Sequence, residues 1–204
     1  MRHNLFILIL FFLSTEQLMG QSALTVDFGQ NFTNFKYTDA QGNENDSFES
    51  NFSNSLNVGY SYYLKQGIFF SSKIGYRKAG ASYVFDDFNY KWNLNYTDFK
   101  LGIGYERDLG PLYAHFSVQG YAGYLFKAEQ ILHNTERDML EDETLEEWDF
   151  GLFFTPGVSY AINEKVHIGL DFNYMLGLSN IETDKNQETF NTLMGSSVNL
   201  IIKL

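Results

Sequence analysis

The stretch VHIGLDFNYMLGLS, Val166 to Ser179, divides at every second position into two unlike sets. Val166, Ile168, Leu170, Phe172, Tyr174, Leu176 and Leu178 are apolar. His167, Gly169, Asp171, Asn173, Met175, Gly177 and Ser179 are small or polar apart from the methionine. A helix places its apolar residues three and four apart, so a period of two is the mark of a strand with different faces. Soluble strands usually run about five or six residues. An alternation this long predicts one stave of a transmembrane β-barrel, with even positions in lipid and odd positions in the lumen.

Seven more segments repeat the pattern: 24–32, 52–64, 68–77, 98–106, 112–127, 148–163 and 197–204. Each sets residues such as Leu56, Val58 and Tyr60, or Phe99, Leu101 and Ile103, against Gly, Ser, Asn and charged residues. Pro156 falls inside the sixth, where its missing N–H predicts a bulge or local bend. The connections alternate too. Residues 65–67, 107–110 and 163–165 make short turns, whereas 38–49, 80–92, 128–147 and 180–189 are long and polar. Short turns in the periplasm and long loops outside are the outer-membrane arrangement. Eight strands then return both ends of the barrel to the periplasmic side. The expected fold is all-β: a single up-and-down antiparallel transmembrane barrel of eight strands with a side-chain-filled lumen.

Composition agrees with this reading. The chain has 204 residues, enough for one domain, with only 2 Pro but 20 Phe and 14 Tyr. There is no cysteine, which excludes disulfides, thiolate metal sites and a cysteine nucleophile. Residues 1–20 read as a signal peptide: Arg2 and His3 precede an apolar run from Leu5 to Leu13, too short to span a bilayer as a helix. Cleavage after Gly20 or Gln21 would leave a barrel domain of residues 21–204, and its net charge would stay at −11 because Arg2 and Glu16 cancel. The mean hydropathy of −0.25 does not argue for solubility, because alternating strands average out their apolar residues.

Periodicity does not say which face is inside. A lipocalin-like soluble barrel would turn the apolar set inward, but an eight-stranded lumen is only just wide enough for ordinary side chains and would be overfilled. The charges in the polar set decide the matter. Lys73, Arg77, Lys100, Lys127 and Lys203 stand against Asp27, Asp98, Glu106, Asp149 and Asp171, five of each sign. A poorly hydrated lumen requires such balance, because an unpaired buried charge costs several kcal/mol. The middles of the apolar sets hold no charge, as lipid contact demands. Thirteen residues at about 3.3 Å each, tilted by ~40°, span roughly 33 Å, enough for the apolar band and its interfaces. Aromatic residues gather near both ends, at headgroup level.

Chemistry is sparse. His115 and His167 both fall in the lumen set near the periplasmic end and read as plug residues bonded to neighbouring carboxylates, with Asp171 a salt-bridge partner. His133 lies in the longest loop without a serine that would complete a hydrolytic triad. That loop, 128–147, carries eight acids and one base. It could take Ca²⁺ through its carboxylates, but it lacks the glycine-centred spacing of an EF-hand. Met139, Leu140 and Leu145 could form a short amphipathic helix; a solvated loop is the simpler expectation. The four long segments carry −4, −1, −7 and −2, so the acidity belongs to the exterior. No basic patch for nucleic acid, no phosphate-binding glycine loop and no cofactor motif is present.

Taken together, the leader, the eight amphipathic strands, the short inner turns and the long acidic loops resemble the small outer-membrane β-barrel proteins of Bacteroidota. That group includes barrels similar to PorT, which takes part in protein secretion. The expectation is a non-enzymatic, monomeric barrel in the outer membrane of a Gram-negative bacterium, embedded in lipid and presenting acidic loops for surface interaction or envelope integrity. The resemblance also implies an alternative, a secretion or assembly component with a protein partner. A narrow channel is the third reading.

Overall fold

A computed structural model describes residues 20–204 except 87, 133 and 134. The expected leader, apart from Gly20, therefore lies outside the described residues, as does His133. Eleven strands form in order: β1 (Gln21–Thr38), β2 (Glu44–Asn45), β3 (Glu49–Tyr63), β4 (Ile68–Ala79), β5 (Ala81–Phe85), β6 (Phe88–Asp108), β7 (Leu112–Leu132), β8 (Thr135–Asp138), β9 (Trp148–Ala161), β10 (Val166–Gly177) and β11 (Glu188–Lys203). Eight are staves: β1, β3, β4, β6, β7, β9, β10 and β11, each antiparallel to the next. β1 closes the ring by pairing with β3 on one side and β11 on the other, from Ala23 opposite Lys203 to Thr38 opposite Glu188. Closure satisfies every ladder within the sheet, which lipid requires because it offers no hydrogen bonds. The three short strands β2, β5 and β8 decorate the end that carries the long loops.

Burial is inverted relative to a water-soluble barrel. Val26, Phe28, Val58, Ile74, Leu101, Ile103, Val158 and Leu170 all lie outward, whereas Asp27, Asn31, Asn57, Arg77, Asp98, Lys100, Asp149 and Asn199 are buried. In β10 the alternation sends Ile168, Leu170, Phe172 and Tyr174 out and His167, Asp171 and Met175 in. The apolar belt is therefore the lipid face, and lipid supplies the burial that a protein core would otherwise provide.

The strands and loops depart from the sequence expectations at three places. The strict alternation breaks in β7 at Phe126: Asn95 pairs with Lys127 but Tyr96 pairs with Leu125, so one extra residue bulges out of the strand. The bulge reverses the parity beyond it, leaving Phe126 and Lys127 both exposed and turning Ala128 inward. Lys127 is thus not a lumen residue; it pairs on the exterior with Glu129 at 2.7 Å. At Pro156 no bulge forms. The β9–β10 ladder skips from Asp171–Gly157 to Tyr174–Phe154 without a change of register, so the proline removes pairing and shifts nothing.

The third departure concerns the long loops. β6 and β7 run 21 residues each, which at about 3.3 Å per residue and ~40° tilt is roughly 50 Å, well beyond the apolar band. Much of 80–92 is therefore the β5–β6 hairpin, and the start of 128–147 continues β7 into β8. Residues 139–143 form a turn and not a helix, and Leu145 bridges to Glu182. Gly80, with φ of +136°, lets the chain pass from β4 to β5 where a Cβ would strike the Trp92 carbonyl.

Candidate functional site

From the periplasmic mouth upward, the inward residues of neighbouring staves stack into successive layers. Lys203 lies 3.7 Å from Glu106 and sits over the Tyr113 ring at 4.5 Å. Above it the His115 Nε2 meets Asp171 Oδ1 at 2.9 Å, across β7 and β10. Gly157 on the intervening stave makes room for this pair, since a Cβ there would collide with both side chains. Lys73 then donates to Asp27 at 2.6 Å. Lys100 donates to Asn57 at 3.1 Å, lies 3.7 Å from Asp98, and rests over the Phe153 ring at 3.9 Å.

The densest layer centres on Arg77, whose side chain is 1% exposed. Its Nε donates to Asp98 at 2.9 Å and its Nη2 to Asp149 at 3.0 Å. The guanidinium lies over Tyr96 at 4.4 Å and Tyr121 at 5.0 Å. Asp149 also accepts from the Tyr121 hydroxyl at 3.0 Å and from Asn191 at 3.0 Å. Five staves thus contribute to one fully buried knot: Arg77 from β4, Tyr96 and Asp98 from β6, Tyr121 from β7, Asp149 from β9 and Asn191 from β11. Arginine suits the position because its planar fork reaches two carboxylates while its faces take the tyrosines. Two voids among these layers, of about 40 Å³ and 20 Å³, are each on the scale of a water molecule.

Nine of the ten lumen charges named from the sequence therefore lie inside, leaving Lys73, Arg77, Lys100 and Lys203 facing Asp27, Asp98, Glu106, Asp149 and Asp171. Lys127 being outside, the fifth acid, Asp171, has a histidine as its partner instead of a lysine or arginine. His167 does not meet a carboxylate as expected; it packs against the Tyr113 ring, with centroids 4.9 Å apart. Among the described residues no three His, Asp or Glu side chains converge in a way that could hold a metal ion.

Above the Arg77 knot the interior changes character. Phe35, Leu94, Tyr96, Leu125, Leu145 and Ile181 form an apolar cluster, with Phe48, Trp92, Met139 and Leu140 packed against it. The loops lean inward over this cluster and enclose a cavity of about 440 Å³. Its walls include Phe35, Tyr37, Phe48, Tyr83 and Trp92, together with Glu182. Sequence reasoning missed it because each long segment contributes only one or a few apolar residues, scattered among acids.

Glu182 is the informative titratable group here. Burial, opposed by a hydrogen bond from Thr189 and reinforced by Asp184, raises its carboxyl above the usual glutamate value of 4.5. A raised carboxyl favours the folded state while protonated. As pH rises from the ordinary value through the raised one, the unfolded chain ionises first and this contribution is lost. Glu182→Gln should therefore equal or exceed the parent in thermal stability at neutral pH, with the difference vanishing on acidification. Melting curves in detergent at several pH values would show it, and a variant less stable only at neutral pH would refute it.

Comparison with known proteins agrees with the geometry. A family model described as "Outer membrane protein beta-barrel domain" matches residues 5–199. Among solved structures, the outer membrane protein OprG from Pseudomonas aeruginosa is similar with a TM-score of 0.60 and 10% identity, the match covering 91% of this chain and 96% of OprG. Neisserial surface protein A is similar with a TM-score of 0.52 and 16% identity, covering 90% and 97% respectively. No curated protein matches the sequence significantly. At such identities the structural matches speak for the fold alone, an eight-stranded outer-membrane barrel. Inverted burial, a closed ring and a filled, charged lumen are properties of the same architecture. The chain is a member of the outer membrane protein beta-barrel domain family, and its place is the outer membrane of a Gram-negative bacterium.

Proposed function

We propose that this protein is a non-enzymatic, non-conducting barrel that holds a folded acidic loop assembly at the cell surface, for surface interaction or envelope integrity. The observation that carries this reading is the Arg77–Asp98–Asp149 knot, buried across the lumen with water-sized voids beside it. An ion crossing that layer would have to part charge-assisted hydrogen bonds in a site with little water, each worth more than a neutral one.

Planar-bilayer recording tests the closed lumen. Purified protein should give no steady unitary current above the bare bilayer. Steady single-channel events that vanish when the protein is omitted would overturn the reading and favour the channel. The resemblance to PorT-like barrels of Bacteroidota keeps a secretion or assembly role as the alternative. Crosslinking in intact cells separates the two. Capture through the loops, around 128–147, supports surface display, whereas capture only through the turns 65–67, 107–110 and 163–165 supports the alternative.

A further inference from the structure

The cavity beneath the loops has a chemistry that the surface-display reading leaves unspecified. Its volume of about 440 Å³ is within the range of small-molecule sites. Aromatic rings from four separate strands and loops surround it. Phe48 is their hub, with ring centroids 5.9 Å from Phe35, 5.7 Å from Tyr37, 5.1 Å from Tyr83 and 5.7 Å from Trp92. Mutual packing fixes these rings in place. Trp92 is held further by stacking on Tyr90, and Tyr37 by donating its hydroxyl to Gln187 at 2.9 Å. Such a wall is preorganised and aromatic.

Among the described residues, Glu182 is the one carboxylate in the lining. It accepts a hydrogen bond from Thr189 at 3.0 Å, and the described residues place no lysine or arginine within ion-pair distance of it. Arg137, the one cationic side chain in the lining among the described residues, is exposed at the rim and engaged by Asp142. A half-buried carboxylate lacking a cation, set among aromatic faces, selects a positive ligand with an apolar body. Cation–π attraction strengthens once the site is desolvated. The long segments around the mouth carry −4, −1, −7 and −2, a field that enriches cations near the entrance.

We propose that the loop cavity is a binding site for a small organic cation, an arylalkylammonium or a compound of that class, with Glu182 as counter-ion and Phe48, Trp92 and Tyr83 as the aromatic wall. This inference rests on the folded loop assembly in the surface-display reading, but not on the closed lumen. A conductance result and a binding result can therefore fail independently.

The test uses the two tryptophans of the chain. Trp148 lies outward on the lipid face, so Trp148→Phe leaves Trp92 as a reporter inside the cavity wall. Full-length barrel in octyl glucoside, a detergent without an ammonium group, is titrated with 2-phenylethylammonium and in parallel with 2-phenylethanol, its neutral counterpart. The expected result is a saturable change in Trp92 emission with the ammonium compound and at least tenfold weaker binding of the alcohol. Glu182→Gln should weaken the ammonium at least tenfold and leave the alcohol unchanged. Phe48→Leu, which keeps apolar volume and removes the ring, should weaken the ammonium severalfold more than the alcohol. Folding of each variant is checked by the shift of the unboiled band on a denaturing gel. Equal affinity for the two probes, or no effect of Glu182→Gln in a folded barrel, would overturn the proposal in favour of a neutral apolar ligand. Absence of saturation with either probe would overturn the site itself.

Discussion

Arg77→Leu should destabilise the barrel by about 3–5 kcal/mol, the cost of removing one partner from a buried ion pair. The loss arises less from the missing attraction than from what remains. Asp98 and Asp149, both fully buried, would face each other without the guanidinium between them. Lys100, 3.7 Å from Asp98, can compensate only one of the two. Asp149 would keep its bonds from Tyr121 and Asn191, which support a carboxylate but bring no charge. Equilibrium urea unfolding in lipid vesicles, read by tryptophan fluorescence and by band shift, measures the change. Adding Asp98→Asn and Asp149→Asn to Arg77→Leu should recover a large part of it, because the stranded charges are then gone. A single-variant loss below about 1 kcal/mol would mean that water reaches the knot and that the lumen is not closed there.

Leu170→Lys should cost about 2–4 kcal/mol, the penalty for a cation at the bilayer midplane on a barrel's lipid face. Leu170 lies near the middle of β10 and is 55% exposed, so in water the same substitution would be nearly neutral. Leu204→Lys at the periplasmic rim is the control, where the penalty falls to roughly 0–1 kcal/mol. The depth dependence distinguishes lipid exposure from ordinary packing loss, since a packing defect would not track distance from the midplane. Equal costs at the two positions would show that the outward face is not in lipid.

Much of the architecture is legible in the chain because a strand writes its two faces into adjacent residues. From Val166 to Gly177 nothing beyond local alternation is needed to separate wall from lumen. The sidedness of the barrel is legible as well, since charge balance in one set and its absence from the other reflect two different solvents. Turn lengths add the direction through the membrane.

Other features depend on residues far apart in sequence. Lys127 obeys the alternation on paper, yet the bulge at Phe126 turns it out, because the register of β6 against β7 decides where a residue is excluded. The acids of the loops face water, while Phe48, Met139, Leu140, Leu145 and Ile181 are drawn together from separate segments. No single loop shows a period that would reveal this, so the cavity exists only once the loops converge.

Local alternation and composition specify the wall: eight amphipathic staves, their lipid and lumen faces, and the acidic exterior. These follow from the two-residue repeat of a strand and from the cost of charge in lipid, both local or additive properties. It takes the folded ring to bring Arg77 to Asp98 and Asp149, to set His115 and not a lysine against Asp171, and to gather aromatic rings from distant segments into one cavity lining with Glu182. Those pairings are set by ring closure and strand register, which bring together residues dozens of positions apart and leave no periodic signal in the chain.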